Sequence, residues 1–151
     1  MTKYKFQLST LQKVRAAKRD RDRAALAEAF RAEQVLAEQR ATLVAEQVEL
    51  RDMRRSASAE QYLDVNRLIE AQRYELVLKA RESDLTRQQA AVAVETERRR
   101  QVLVEAERDV RALGLLDERQ RREFVRHQER VEAKRLDEAA IQRYRAKDRQ
   151  S

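Results

Sequence analysis

Small and large apolar residues step through the chain at seven-residue intervals, first as Ala29, Leu36, Leu43 and Leu50, with Phe30, Ala37 and Val44 one position beyond the first three. A seven-residue step keeps one face of a helix apolar, whereas a strand would alternate every second residue. Positions that would complete a strict heptad seam are polar, at Glu33, Arg40, Gln47 and Arg54, which predicts a loose coiled coil rather than a tight zipper. Leu78, Leu85 and Val92 take the same step later. Leu103 and Val110 continue in a second register, and Phe124 and Val131 fall in step with that register two heptads on.

The clearest interruption is RRSASAEQY, where Ser56 and Ser58 are poor mid-helix residues and Ser58 with Gln61 has the spacing of a capping box. The pattern predicts an all-α chain, residues 1–151 forming a single coiled-coil rod: a first helix over about 4–55, a turn over about 56–59 and a second helix over about 60–146. At 1.5 Å per residue the helices would run ~75 Å and ~130 Å, too long to wrap into a globule. Folding back at the turn gives a long antiparallel two-helix hairpin. With the turn centred on Ala57, residue i faces roughly residue 114 minus i, so Leu8 meets Ala106 and the first helix is exhausted near Gly114. The C-terminal third of the second helix then overhangs alone. Gly114 costs ~1 kcal/mol relative to alanine but keeps apolar neighbours in LGLL, which reads as a weak point and not a boundary.

Composition strengthens the helical reading. Of 151 residues, 40% are charged and 5% aromatic, with one glycine and no proline, cysteine or tryptophan, so a compact core is out of reach. The absence of cysteine excludes disulfides and thiolate metal sites. The start, MTKYKFQLSTLQKV, lacks the apolar stretch of a signal peptide, and AAVAV at residues 90–94 is the longest small apolar run, so no membrane-crossing or targeting segment is predicted. The formal charge of +7 is uneven: residues 1–23 carry eight basic and two acidic side chains, residues 111–151 twelve and eight, and residues 24–110 fourteen and seventeen. The basicity therefore belongs to the two ends, which an antiparallel hairpin brings to its open end.

Candidate chemistry is sparse. His127 lies in HQERVEAKRLDE with Glu123 and Glu129 nearby, but it lacks a second histidine at helical spacing and reads as part of a solvated face rather than a metal ligand. One glycine permits no phosphate-cradling loop, and a two-helix rod offers no pocket to exclude water, so neither a catalytic site nor a cofactor is predicted. The arginines alternate with acids in ERDVR and DERQRRE, a pattern of solvated helix faces more than of a nucleic-acid stripe. Tyr62, Leu68, Ile69 and Tyr74 form the densest group of large apolar residues, just after the turn, and read either as hairpin packing or as a docking patch.

Two blocks carry a resemblance to a known family. YKFQLSTLQKVRAAKRDRDRAALAEA, residues 4–29, has an aromatic, two spaced leucines and an alternating charged helix. QERVEAKRLDEAAIQRY, residues 128–144, has Glu129, Glu132, Lys134, Leu136, Asp137 and Glu138 followed by Arg143, with Arg145 just beyond it. Both are similar to the flagellar type III export protein FliJ family, and the likeness in layout covers essentially the whole chain.

The resemblance implies a non-enzymatic, cytoplasmic coiled-coil stalk, similar to the rotor stalk of rotary ATPases, that enters the pore of the hexameric flagellar export ATPase and promotes ring assembly. It also implies a link to the membrane export gate, which would hold the protein at the inner membrane without insertion, and contacts with export chaperones. The residues expected to meet the ring are Lys13, Arg15, Lys18, Arg19, Arg122, Arg126, Arg130, Lys134 and Arg135. For the gate contact, Leu68 matches by type, while Gln72 and Glu75 are polar where the family has apolar residues. The alternatives are the equivalent stalk of a virulence injectisome, which shares fold and role, and a basic nucleic-acid-binding coiled coil, which would show salt-sensitive binding without any ATPase.

Overall fold

A computed structural model describes residues 3–59, 62 and 64–148. Their regular structure is all α-helical: α1 spans Ser9–Ala59 and α2 spans Val65–Asp148, packed against each other as a helical hairpin. Contacts gather into two compact units, Asp20–Val104 and a second made of Met1–Arg19 with Glu105–Ser151.

Within Asp20–Val104 one apolar row joins the helices. Leu43 and Leu50 of α1 meet Ala71 and Leu78 of α2, with Leu85 packed against them, and Leu78 is only 1% exposed. Burying a leucine contributes ~1.5–3 kcal/mol, so this row supplies most of the local stability. Beside it runs a polar row with the same heptad step. The Arg40 guanidinium donates to Gln89 at 3.0 Å, the Gln47 amide to Glu82 at 3.1 Å, and Arg54 to Glu75 at 2.6 Å. Three of the four polar positions that make the sequence look like a loose coiled coil, Arg40, Gln47 and Arg54, therefore carry cross-helix bonds.

The turn is not at 56–59. Ser56 and Ser58 are helical, and their hydroxyls donate to the carbonyls of Asp52 and Arg54, four residues back, at 3.1 and 2.8 Å. Instead of capping a new helix, Ser58 lies near the end of α1, and Gln61, the other half of the expected capping box, falls outside the described residues. Asp64 caps α2: its carboxylate accepts from the amides of Asn66 at 3.1 Å and Arg67 at 3.4 Å, and its carbonyl accepts the first intrahelical bond from Leu68 at 3.2 Å. Moving the turn moves the register. Arg15 pairs with Asp109 and Ala25 with Arg99, so within each unit residue i faces roughly residue 124 minus i, not 114 minus i.

The other unit departs from the expected first helix at its start. Residues 3–8 are not helical, and α1 begins where the Leu8 carbonyl accepts from the Gln12 amide at 2.9 Å. Phe6 in this strap is 7% exposed, and the Tyr4 hydroxyl donates to the Asp117 carboxylate at 2.8 Å and lies 3.2 Å from its carbonyl oxygen. The Tyr4 and Phe124 rings stand 5.7 Å apart, tilted by 49°. Cover over α2 thus extends past Gly114, and the exposed overhang starts later than the sequence suggests: every residue from Glu132 to Lys147 is exposed. A Cβ placed on Gly114 would meet nothing within 4 Å, so nothing in the packing demands glycine there.

Truncating Leu78 to alanine should lower the unfolding free energy by about 2–5 kcal/mol, whereas Leu136→Ala, on a side chain in a residue 72% exposed, should stay within about 0.5 kcal/mol; urea denaturation followed by circular dichroism measures both. In the same assay Gly114→Ala should stabilise the protein by up to ~1 kcal/mol.

Candidate functional site

All nine cations expected to contact a partner ring fall in the unit made of Met1–Arg19 and Glu105–Ser151, while Leu68 falls in Asp20–Val104. The charges divide in the same way. The first unit has nineteen basic and eleven acidic side chains, the second fifteen and sixteen, giving +8 against −1. Because α1 and α2 run antiparallel, one unit receives both basic segments of the sequence.

The nine cations differ in what holds them. Arg15 donates to Asp109 at 2.9 Å across the helices, and Arg19 is half-buried and has a partner of its own. Arg122 reaches Glu118 at 3.3 Å, one turn back on α2, beside the matching pair Arg119–Glu123 at 3.1 Å. With Leu115 and Arg126 these four side chains border a shallow groove along one face of α2. Lys13, Lys18, Arg126, Arg130, Lys134 and Arg135 are exposed and have no ion pair among the described residues. Exposed pairs are worth only ~0–1 kcal/mol, so an acidic partner can also recruit the cations that are already paired.

His127 is exposed, and the described residues contain no cluster of three or more histidines or carboxylates able to hold a metal ion. Nor is any helix long and apolar enough to cross a membrane among them. Tyr4, at the edge of the basic unit, has its phenol pKa raised above the ordinary 10, first by desolvation and then by its bond to the Asp117 carboxylate.

Leu68 sits elsewhere, in an open cleft of about 510 Å³ near the hairpin turn, with Leu50, Met53, Ala57, Ala71 and Tyr74 around it. It is half-buried, while Ile69, Tyr74 and the 87% exposed Tyr62 remain open to solvent nearby. Glu75 is spoken for: it pairs with Arg54 on α1 and with Lys79 at 3.2 Å, and the bond from Lys79 holds its carboxylate below the ordinary range. Tyr74 bonds Glu46 at 3.1 Å across the helices, so the apolar group joins hairpin packing on one side to open surface on the other.

The feature that sequence reasoning misses is the strap. Its signal is the alternation of Tyr4, Phe6 and Leu8 with Lys3, Lys5 and Gln7, a two-residue period unlike the heptad that follows.

The strongest charge clamp is in Asp20–Val104. Arg98 and Arg99 both bond Glu95, at 2.7 Å each in their closest contacts, and Arg99 continues across to the Ala25 carbonyl at 2.5 Å. Hydrogen bonds first from Arg98 and then from Arg99 pull the Glu95 carboxyl from 4.5 to about 2.

One family model, that of the flagellar FliJ protein, matches residues 4–149. No curated protein and no solved structure matches the chain.

A depressed carboxylate pKa stabilises the fold above the unfolded value, and that contribution is lost as pH falls through the folded one. Glu95 should therefore support the fold fully above pH 4.5 and release its arginines as pH drops toward about 2. A carbon-detected NMR titration of its side chain should show this low midpoint, and Arg98→Gln should move the midpoint up toward 4.5.

Proposed function

Since the chain belongs to the flagellar FliJ family, a family of non-catalytic flagellar export components, we propose that it is the stalk of a flagellar type III export ATPase. In this reading the basic unit enters the pore of the hexameric ATPase ring, promotes its assembly and raises its hydrolysis. The observation that carries the reading is the segregation of charge, +8 in the unit holding both chain ends against −1 in the other, together with the run of exposed residues from Glu132 to Lys147.

A stalk that meets successive ring subunits must attract them without locking onto one. Dispersed exposed cations such as Arg126, Arg130, Lys134 and Arg135 act through long-range attraction and contribute mainly to the encounter rate. A buried aromatic anchor would instead create a deep hot spot and slow release. The apolar cleft beside Leu68 is the surface we assign to the membrane export gate, with export chaperones as further partners of the exposed helix faces.

Adding the full-length protein to its cognate export ATPase should raise both hydrolysis and oligomerisation. Deleting residues from Glu132 onward should abolish both effects while thermal unfolding of the remainder changes little, because Glu132 to Lys147 are all exposed. Reversing Lys134 and Arg135 to glutamate should weaken the stimulation most strongly at low salt. An ATPase rate that stays flat on titration with intact protein would refute the stalk reading.

A further inference from the structure

The N-terminal strap closes over α2 differently from α1. Its six described residues, 3–8, are not helical, and two backbone bonds tie them to α1: the Ser9 amide to the Phe6 carbonyl at 3.3 Å, and the Gln12 amide to the Leu8 carbonyl at 2.9 Å. It is held through side chains: Phe6 buried, the Tyr4 hydroxyl on Asp117, and the Tyr4 ring against Phe124. Asp117 and Phe124, which it touches, are half-buried, as are Leu113 and Gln120 at helical spacing on the same face of α2, whereas Leu78 in the other unit is sealed. Segments with few buried contacts and little backbone bonding are the ones that open below the cost of global unfolding.

We propose that residues 3–8 form a releasable clasp that opens on its own and so sets how much of α2 stands alone. Closed, the clasp reaches Phe124. Open, it leaves the helix without this cover from Asp117, seven residues earlier, which adds ~10 Å to the unsupported length at 1.5 Å per residue. Beyond Phe124 the same face carries Gln128 and Val131, and then Arg135, Glu138 and Gln142, so the apolar part of the seam ends close to where the clasp ends. The coincidence suits a device for fixing the start of the free helix. Lys3 and Lys5 point to solvent on the clasp itself, so closing it costs no burial of charge.

The chain has no cysteine, so one introduced thiol reports one site. Gln120→Cys places a thiol under the clasp, and Thr96→Cys places one at a buried position of Asp20–Val104 as the reference. In the full-length free protein, thiol labelling at 120 should run at least tenfold faster than at 96. Tyr4→Phe, which removes only the hydroxyl, should speed labelling at 120 by about three- to tenfold, and Tyr4→Ala, which also removes the ring contact, by more. Neither change should move the rate at 96. Equal rates at the two sites, shifting together in the Tyr4 variants, would mean that the strap opens only with the whole fold and would overturn the clasp. A rate at 120 indifferent to Tyr4 would overturn it as well, by showing that the strap does not guard this face.

Discussion

A pair of helices has only one line of mutual contact, and among the described residues no third helix closes a core. Along Asp20–Val104 that line is a single apolar row, Leu43, Leu50, Ala71 and Leu78, in which only Leu78 is sealed. Such a row cannot dry its own flanks, so the neighbouring positions must tolerate water and bond at the same time. Arg40, Gln47 and Arg54 do so by reaching Gln89, Glu82 and Glu75 along the edge of the seam. Each bond at this exposure contributes little, but together they replace hydration along the flank with groups that fit only when the helices are aligned.

The same repetition makes the register hard to read. A slip of one heptad exchanges leucine for leucine, and it leaves Arg40 opposite either Glu82 or Thr96, which are not forbidden partners. Side-chain rows alone therefore discriminate weakly between registers, and the position of the turn decides. A centre displaced from Tyr62 to Ala57 shifts every cross-helix partner by ten residues. Ser56 and Ser58 invite that displacement, because serine is a poor helix former, yet here both lie inside α1 with their hydroxyls bonded to carbonyls four residues back. The true start of α2 is marked by Asp64, whose side chain can accept from two orphan amides. Without a glutamate or glutamine three residues later, its signature is half of a capping box.

What was legible in the residues was therefore the helical class, the seven-step rows and the separation of charge, all of which depend on local order. The placement of Leu36, Leu43 and Leu50 against α2 follows from their spacing, and all three are buried. The strap was not legible in a helix-based reading, because Tyr4 finds its partners more than a hundred positions away, on Asp117 and Phe124. Nor could charge counts tell a free cation from a paired one. Arg15 and Arg130 look alike in the sequence, yet one is held by Asp109 and the other has no ion pair among the described residues.

In the stalk reading, that difference bears on how the basic unit would meet the ring. Around Glu118 and Glu123 the arginines are answered by acids one turn away on their own helix, so the local field there is partly cancelled. From Arg126 onward the described cations have no such answer, although Glu129, Glu132, Asp137 and Glu138 lie in the same stretch. Exposed charges that are not locked together keep their side-chain entropy and can reorient toward whatever surface approaches. An acidic partner would thus be drawn first to the exposed end of α2 and would find the stiffer, internally paired arginines only as it advanced toward Tyr4 and Phe124. Attraction and resistance are ordered along one helix, and this follows from where the single seam stops.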